Sequence, residues 1–503
     1  MNYKAVFFLL GCVCLIVAAF LLVPALIAVI YDEGDVAVDF VLSALFGALA
    51  GLVMVLPTRG SRVSADGRPD YFRREGLAVV GLSWLVAGVI GAVPYLMTRA
   101  VDSPIDAIFE TVSGFTTTGS TILSGEEIVG MSKALAFWRS FTHWLGGFGI
   151  VMVFVVLFPT GGRSLFRSEI PGISREAGRQ RVRDSAMTLM KIYVGLSAVE
   201  FVLLWLFGMN LFDSAIHTFG TIATGGFSNY AESVAYFASW KIELIIGFFM
   251  FACGVNFAAY DVALRKGPRE AFISLMRSLE FRTYAVMVLG SGFLIGCILW
   301  FWGGSNGVDG AAVGDYRSFW QAVRDATFQT ICLQTSTGYA TADFDLWPQV
   351  CRVWLMMLAV IGACAGSTGG GLKVIRFLIV AKAALAGVRR FIRPRAIYSV
   401  RIDGQTLDEG VVASVTGYFG LWTLIFLGGT MAITMFGIDS ETAATAVIAC
   451  LNNIGPGLSM VGPTMNFAEM PDAVKVLLTL FMILGRLEFY AVVALFVPGF
   501  WRN

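Results

Sequence analysis

Four short stretches decide how this chain folds: Thr116-Thr117-Thr118-Gly119-Ser120, Ala223-Thr224-Gly225-Gly226-Phe227, Ser336-Thr337-Gly338-Tyr339-Ala340 and Asn453-Ile454-Gly455-Pro456-Gly457. Gly119, Gly225, Gly338 and Gly455 stand 106, 113 and 117 residues apart, each between one long apolar run and the next. Self-similarity at so regular a period marks a repeated unit. Ahead of the turns run segments of about three helical turns or more, at 104–115, 211–222, 316–334 and 439–452. Asp106, Asp213, Asp315 and Asp439 lie near their starts, as the positive end of a helix favours. Each is too short to cross a bilayer, so each is expected to dip in and return on one face. The unit is span, re-entrant helix, Gly turn, span.

Of the 503 residues, 57% are hydrophobic and 14% charged, with a net charge of +1. An ordinary soluble domain carries about 25% charged residues. The balance excludes a soluble enzyme, a disordered chain and a nucleic-acid binder, and describes an all-α polytopic membrane protein. Apolar segments near 5–31, 38–57, 77–98, 133–159, 185–208, 241–264, 283–302, 349–386, 408–436 and 473–498 predict ten transmembrane spans. The first is too long for a signal-peptide core and lacks a clear cleavage site.

Charge alternates along the connections. Those at 58–76, 160–184, 261–282 and 373–401 hold 24 Lys/Arg against 9 acids. Those at 32–37, 101–132, 209–240, 304–350 and 437–472 hold 19 acids and two basic residues, Arg317 and Arg324. The positive-inside rule places the first group and both termini in the cytoplasm. The acidic outer face is either solvated loop or a mild attractor of cations at a pore mouth.

Non-helical backbone at membrane depth is tolerated only where protein buries it or where it lines a wet cavity. Four turns meeting on one axis would supply what a desolvated alkali cation needs, a ring of backbone carbonyls replacing its hydration shell. Glycine lets successive carbonyls aim inward without a Cβ clash. The candidate ring is Thr117, Thr118 and Gly119; Ala223, Thr224 and Gly225; Ser336, Thr337 and Gly338; Asn453, Ile454 and Gly455. One turn alone also suits an ordinary Gly- and Thr-rich loop; four in register argue against that. Only one Gly recurs per unit, and the fourth carries Ile454 and Pro456 beside it. Looser coordination is therefore expected, with K⁺ and Rb⁺ preferred over Na⁺ less strictly than in a two-Gly potassium-channel filter. Eight cysteines without a CxxC pair read as packing residues, and two histidines leave little for metal chemistry.

The stretches SGFTTTGSTI (113–122), TIATGGFS (221–228), QTSTGYATADF (334–344), NNIGPGL (452–458) and GSTGGGLK (366–373) resemble the Trk/Ktr/HKT superfamily of potassium transporters, and within it the bacterial TrkH-type membrane subunits. The resemblance covers nearly the whole chain. It implies four tandem M1–P-loop–M2 repeats in pseudo-fourfold symmetry: an extra N-terminal pair of spans at 1–60, then units at 61–160, 161–266, 267–386 and 387–503.

The eighth predicted span, 38 residues at 349–386, is about 57 Å long as continuous helix, against a core of about 30 Å. Gly366, Ser367, Thr368, Gly369, Gly370 and Gly371 in its middle predict a broken helix, since each helical Gly costs about 1 kcal/mol relative to Ala. Glycines permitting close helix packing are the other reading. A phosphate loop is not, for the Walker spacing is missing. The resemblance implies that this loop lies under the filter and obstructs the closed pore. Arg486 and Glu488 sit in the last span, where charge is costly without water or a partner. At i,i+2 they do not face each other, and Lys373 is a candidate partner for Glu488. The resemblance implies that Arg486 projects into the ion path; a structural salt bridge is the alternative.

Arg389, Arg390, Arg393, Arg395 and Arg401 crowd 387–401 with no acid among them, marking the inner face through lipid headgroups or docking a cytoplasmic partner. The resemblance implies a homodimer on a ring of TrkA-type regulator that senses NAD and adenine nucleotides, with no nucleotide bound by this chain. The expected function is K⁺ uptake across the bacterial inner membrane, without enzymatic chemistry. An alternating-access symporter with inverted repeats conflicts with the constant charge polarity of the units. An H⁺- or Na⁺-coupled potassium symporter of the same architecture stays open.

Overall fold

The computed structural model describes residues 1–61, 73–157, 180–303, 316, 318–395, 398–487 and 489–501. Among them the chain is helical, and the one sheet is a two-residue antiparallel ladder, Arg401–Ile402 with Gln405–Thr406. Among the described residues, six helices are long and apolar enough to cross a membrane: Tyr3–Ile30, Gly34–Thr58, Arg74–Met97, Met187–Leu206, Leu279–Trp302 and Glu409–Thr434. The first two, α1 and α2, cross closely because Gly11 and Gly51 face each other. A Cβ on either would stand 2.9 Å from the other's carbonyl oxygen. The helix Lys133–Leu157 (α3) runs inside the bundle, where Trp138 is fully buried and donates its indole N–H to Gly91 O at 3.0 Å.

Three of the expected spans are interrupted. Trp240–Cys253 and Ala258–Lys266 meet at 95°. At that bend the Gly254 carbonyl accepts from Cys364 N–H, and Phe257 N–H donates to Gly366 O. Segment 349–386 divides, as expected, into Gln349–Ile361 and Val374–Ile392. The last span corrects the sequence expectation: its helix, Asp472–Arg486, stops at Arg486 instead of carrying that residue midway. It closes there because Leu487 and Phe489 N–H return to Ile483 and Leu484 carbonyls, with Phe489 at a φ of 37°.

Four short helices lie between the long ones: Pro104–Phe115, Leu211–Ile222, Phe319–Gln334 and Ser440–Leu451. The first two match the expected bounds to the residue, because capping side chains punctuate them. Ser103 Oγ accepts from Asp106 N–H and Asn210 Oδ1 from Asp213 N–H. Asp439 caps the fourth by accepting from Glu441 and Thr442. The third starts at Phe319, and Asp315, expected near its start, lies outside the described residues.

Candidate permeation site

All four short helices end alike. The N–H groups of Thr118, Gly225, Thr337 and Ile454 reach back five residues, to Ser113, Gly220, Cys332 and Ala449 carbonyls, at 2.7–2.9 Å. Such a closure places the residue just before the donor in the left-handed region, where glycine is usual. Here those residues are Thr117, Thr224, Ser336 and Asn453, with φ of 53–58°. A side chain in that conformation costs about 1 kcal/mol or more, strain that collects at functional sites. Two residues on, Gly119, Gly226, Gly338 and Gly455 are left-handed again, with φ of 82–103°. The backbone thereby shifts the register of the second turn by one: Gly226, not Gly225, is the counterpart of the other three glycines.

The four turns close into a ring. The Gly225 carbonyl oxygen fills the space that a Cβ on Gly119 would need. Thr337 O does so at Gly226, Ile454 O at Gly338 and Thr118 O at Gly455, returning to the first turn. Thr116 and Thr118 hydroxyls share a hydrogen bond at 2.7 Å, and Thr335 and Thr337 repeat it at 2.8 Å. Between the fourth turn and the first, Asn453 Nδ2 donates to Thr118 Oγ1 and Ser120 Oγ to Gly455 O. Thr117 Oγ1 and Asn453 Oδ1 are buried without a hydrogen-bond partner among the described residues. Unsatisfied buried oxygens of this kind call for a functional explanation.

The Gly-rich loop lies against the helix ends behind these turns. Gly370 N–H donates to Ser336 Oγ at 2.5 Å, and a Cβ on Gly369 would stand 2.9 Å from Thr335 O. Thr368 O accepts from Arg486 Nη1 at 3.0 Å. Arg486 is buried, and its Nε and Nη2 find no partner among the described residues. Ser367 turns inward to Cys364 O. Lys373 Nζ donates to Gly369 O, inside the loop itself. Glu488, its expected partner, lies outside the described residues. Glu280 accepts from Ala365 N–H at 2.6 Å and faces Lys373 electrostatically. Glu280 and the bend at Gly254 were not singled out from sequence, because their contacts with this loop span 85 residues or more. Left-handed Gly362, Gly366 and Gly371 let the loop fold back on itself.

A largely helical membrane chain that delivers four strained, oxygen-rich turns to one ring has the organisation of a cation-transport protein. Residues 47–502 match the TrkH family, described as a cation transport protein, and the chain belongs to that family. It is 35% identical over 509 residues to the Trk system potassium uptake protein TrkH of Salmonella typhimurium, with 100% of each chain covered. It is 30% identical over 489 residues to the Trk system potassium uptake protein TrkG of Escherichia coli, covering 96% of this chain and 95% of that one. The crystal structure of the potassium transporter TrkH from Vibrio parahaemolyticus superposes with a TM-score of 0.86 at 32% identity, over 100% of both chains.

Proposed function

We propose that this chain takes K⁺ into the bacterial cytoplasm across the inner membrane through a filter that its four turns build together. The closed cycle of contacts from Gly119 through Gly226, Gly338 and Gly455 carries this reading. Backbone oxygens replace water around the ion, with Rb⁺ accepted in its place and Na⁺ disfavoured. The four units at 61–160, 161–266, 267–386 and 387–503 each give one turn, the pair at 1–60 flanks them, and ten crossings leave both termini inside. Supporting this, the short helices share one C-terminal closure that no ordinary loop requires four times. Their carbonyl ends add partial negative charge at the ring.

Gly366 to Gly371, held by Arg486, form the gate in this reading: the loop bonds to the third turn, Gly370 lies so close to the fourth that a Cβ on it would meet Asn452 O, and the arginine fixes its middle. The chain works as a homodimer on a cytosolic TrkA-type nucleotide-binding ring. The exposed Arg389, Arg390, Arg393, Arg395 and Arg401 suit such a docking face as well as lipid headgroups. The H⁺- or Na⁺-coupled alternative draws no support from the family description or the relatives' names. Isotope flux into proteoliposomes under opposed K⁺ and Na⁺ gradients, with and without a pH gradient, tests the reading. Reversal at the K⁺ equilibrium potential is expected. A reversal that follows pH or Na⁺ would replace the pore with a coupled carrier.

A further inference from the structure

The limbs that leave the four glycines are each held from behind by a polar side chain near the middle of the short helix, among others. Nine residues before its glycine, Glu110 accepts from Thr121 Oγ1 and from Ile122 N–H, all at 3.0 Å. His217 stands nine before Gly226 and meets Ser228 Oγ through Nε2 at 3.2 Å. Gln329 stands nine before Gly338, its amide oxygen assigned toward Thr341 N–H at 2.7 Å. Thr445, ten before Gly455, accepts from Leu458 N–H at 3.0 Å.

The first of these holds differs in kind. Glu110, fully buried, pairs with buried Arg139 of α3, Nε to Oε1 at 2.7 Å. Arg139 extends past the carboxylate and donates from Nη1 to Ser228 O at 2.9 Å, on the limb of the second turn. Its guanidinium also lies 3.6 Å from the centre of the Phe227 ring. One ion pair therefore grips two neighbouring limbs, where His217, Gln329 and Thr445 each hold only their own; carboxylates also tether later limbs, Asp213 through Asn229 and Tyr230 within the second unit, and Asp345, paired with Arg352, through Ser459 N–H of the fourth.

We infer that Glu110 and Arg139 are specificity-determining positioning residues, which brace the first and second turns so that the ring does not contract around an ion smaller than K⁺. Charge-assisted bonds in a dry interior resist distortion about twice as strongly as neutral ones. A brace at Gly119 and Gly226 therefore acts on ion choice more than on ion passage. The inference rests on the filter reading above.

The test is the K⁺/Na⁺ permeability ratio in proteoliposomes, read with the K⁺ uptake rate and the thermal midpoint. Glu110→Gln with Arg139→Met removes both charges together, which avoids leaving one buried and unpaired. Thr121→Val leaves the ion pair whole and cuts one tether to the loop. Each should lower the ratio by about threefold or more, the scale of the net contribution of one ordinary hydrogen bond, while K⁺ uptake persists. Arg139→Lys, which keeps the charge without the fork, should fall between the double variant and the parent. A smaller change in ratio, or a lower thermal midpoint with the ratio intact, overturns the brace. Should the double variant not fold, Thr121→Val decides alone. Gly119→Ser in the same assay separates the two failures: if it collapses selectivity while Thr121→Val does not, only the brace is wrong, and if neither moves it the filter reading falls first.

Discussion

Arg486 Nη1 donates to the carbonyl of Thr368 over 3.0 Å, joining the end of the last long helix to the middle of the Gly-rich loop. A hydrogen bond from a charged donor contributes about 1.5 kcal/mol or more to the state that contains it. Arg486→Ala should therefore release the loop and raise K⁺ flux by about tenfold, the factor that such an energy implies. Isotope uptake by purified protein checks this, and unchanged flux would detach Arg486 from gating.

Removal of residues 366–371 acts on the same gate from the other side. Without the donor at Gly370 and the acceptor at Thr368, nothing of the loop holds Ser336 or Arg486. The deletion protein should leak K⁺ in the absence of any activating partner. A tightly shut deletion protein, measured by passive Rb⁺ efflux, would remove the loop from the gate.

At Gly338 the backbone has a φ of 83° and Ile454 O occupies the Cβ position. Gly338→Ser must displace backbone of the next turn, so the K⁺/Na⁺ ratio should drop by about tenfold, the cost of 1–3 kcal/mol of strain. Reversal potentials in mixed gradients read it directly.

The register of the second turn yields a sharper contrast. A Cβ on Gly225 would meet the His143 ring, whereas one on Gly226 would meet Thr337 O and the Gly338 backbone. A side chain can be cut away and a backbone cannot. His143→Ala should restore selectivity to Gly225→Ala and leave Gly226→Ala impaired, with a coupling of about 1 kcal/mol in the first cycle only. Equal behaviour of the two pairs would overturn Gly226 as the counterpart of the other three glycines.

Asp439 offers a stability test outside the membrane. Its carboxyl is held below the usual carboxylate range by the Thr442 hydroxyl and by the Thr442 and Glu441 N–H groups. The folded pKa is depressed, so the stabilisation is present above the ordinary value of about 3.9 and is lost as pH falls through the lower folded one. Asp439→Ala should cost about 0.5–1 kcal/mol at neutral pH, the low end for a solvent-exposed cap. Thermal unfolding in detergent should show parent and variant converging in acid.

Local chemistry was legible without coordinates. Asp106, Asp213 and Asp439 marked helix starts because acids favour the positive end of a helix, while the caps Ser103 and Asn210 emerged only from the folded chain. The break within 349–386 followed from six residues that no helix accommodates, and the four turns from their period. The end of the last helix at Arg486 was missed, since L-G-R-L-E carries no breaker stronger than one Gly.

Residue order alone thus specified the short helices and the four turns, because capping and glycine tolerance act over a few neighbours. Which of two adjacent glycines takes the left-handed position, which carbonyl Arg486 holds and which arginine neutralises Glu110 were left to the folded chain. Gly225 and Gly226 are chemically identical, and only the conformation forced on each by its neighbours tells them apart. Arg486 reaches 118 residues back to Thr368 and Glu110 pairs 29 residues ahead with Arg139, contacts that packing creates and that no local preference encodes.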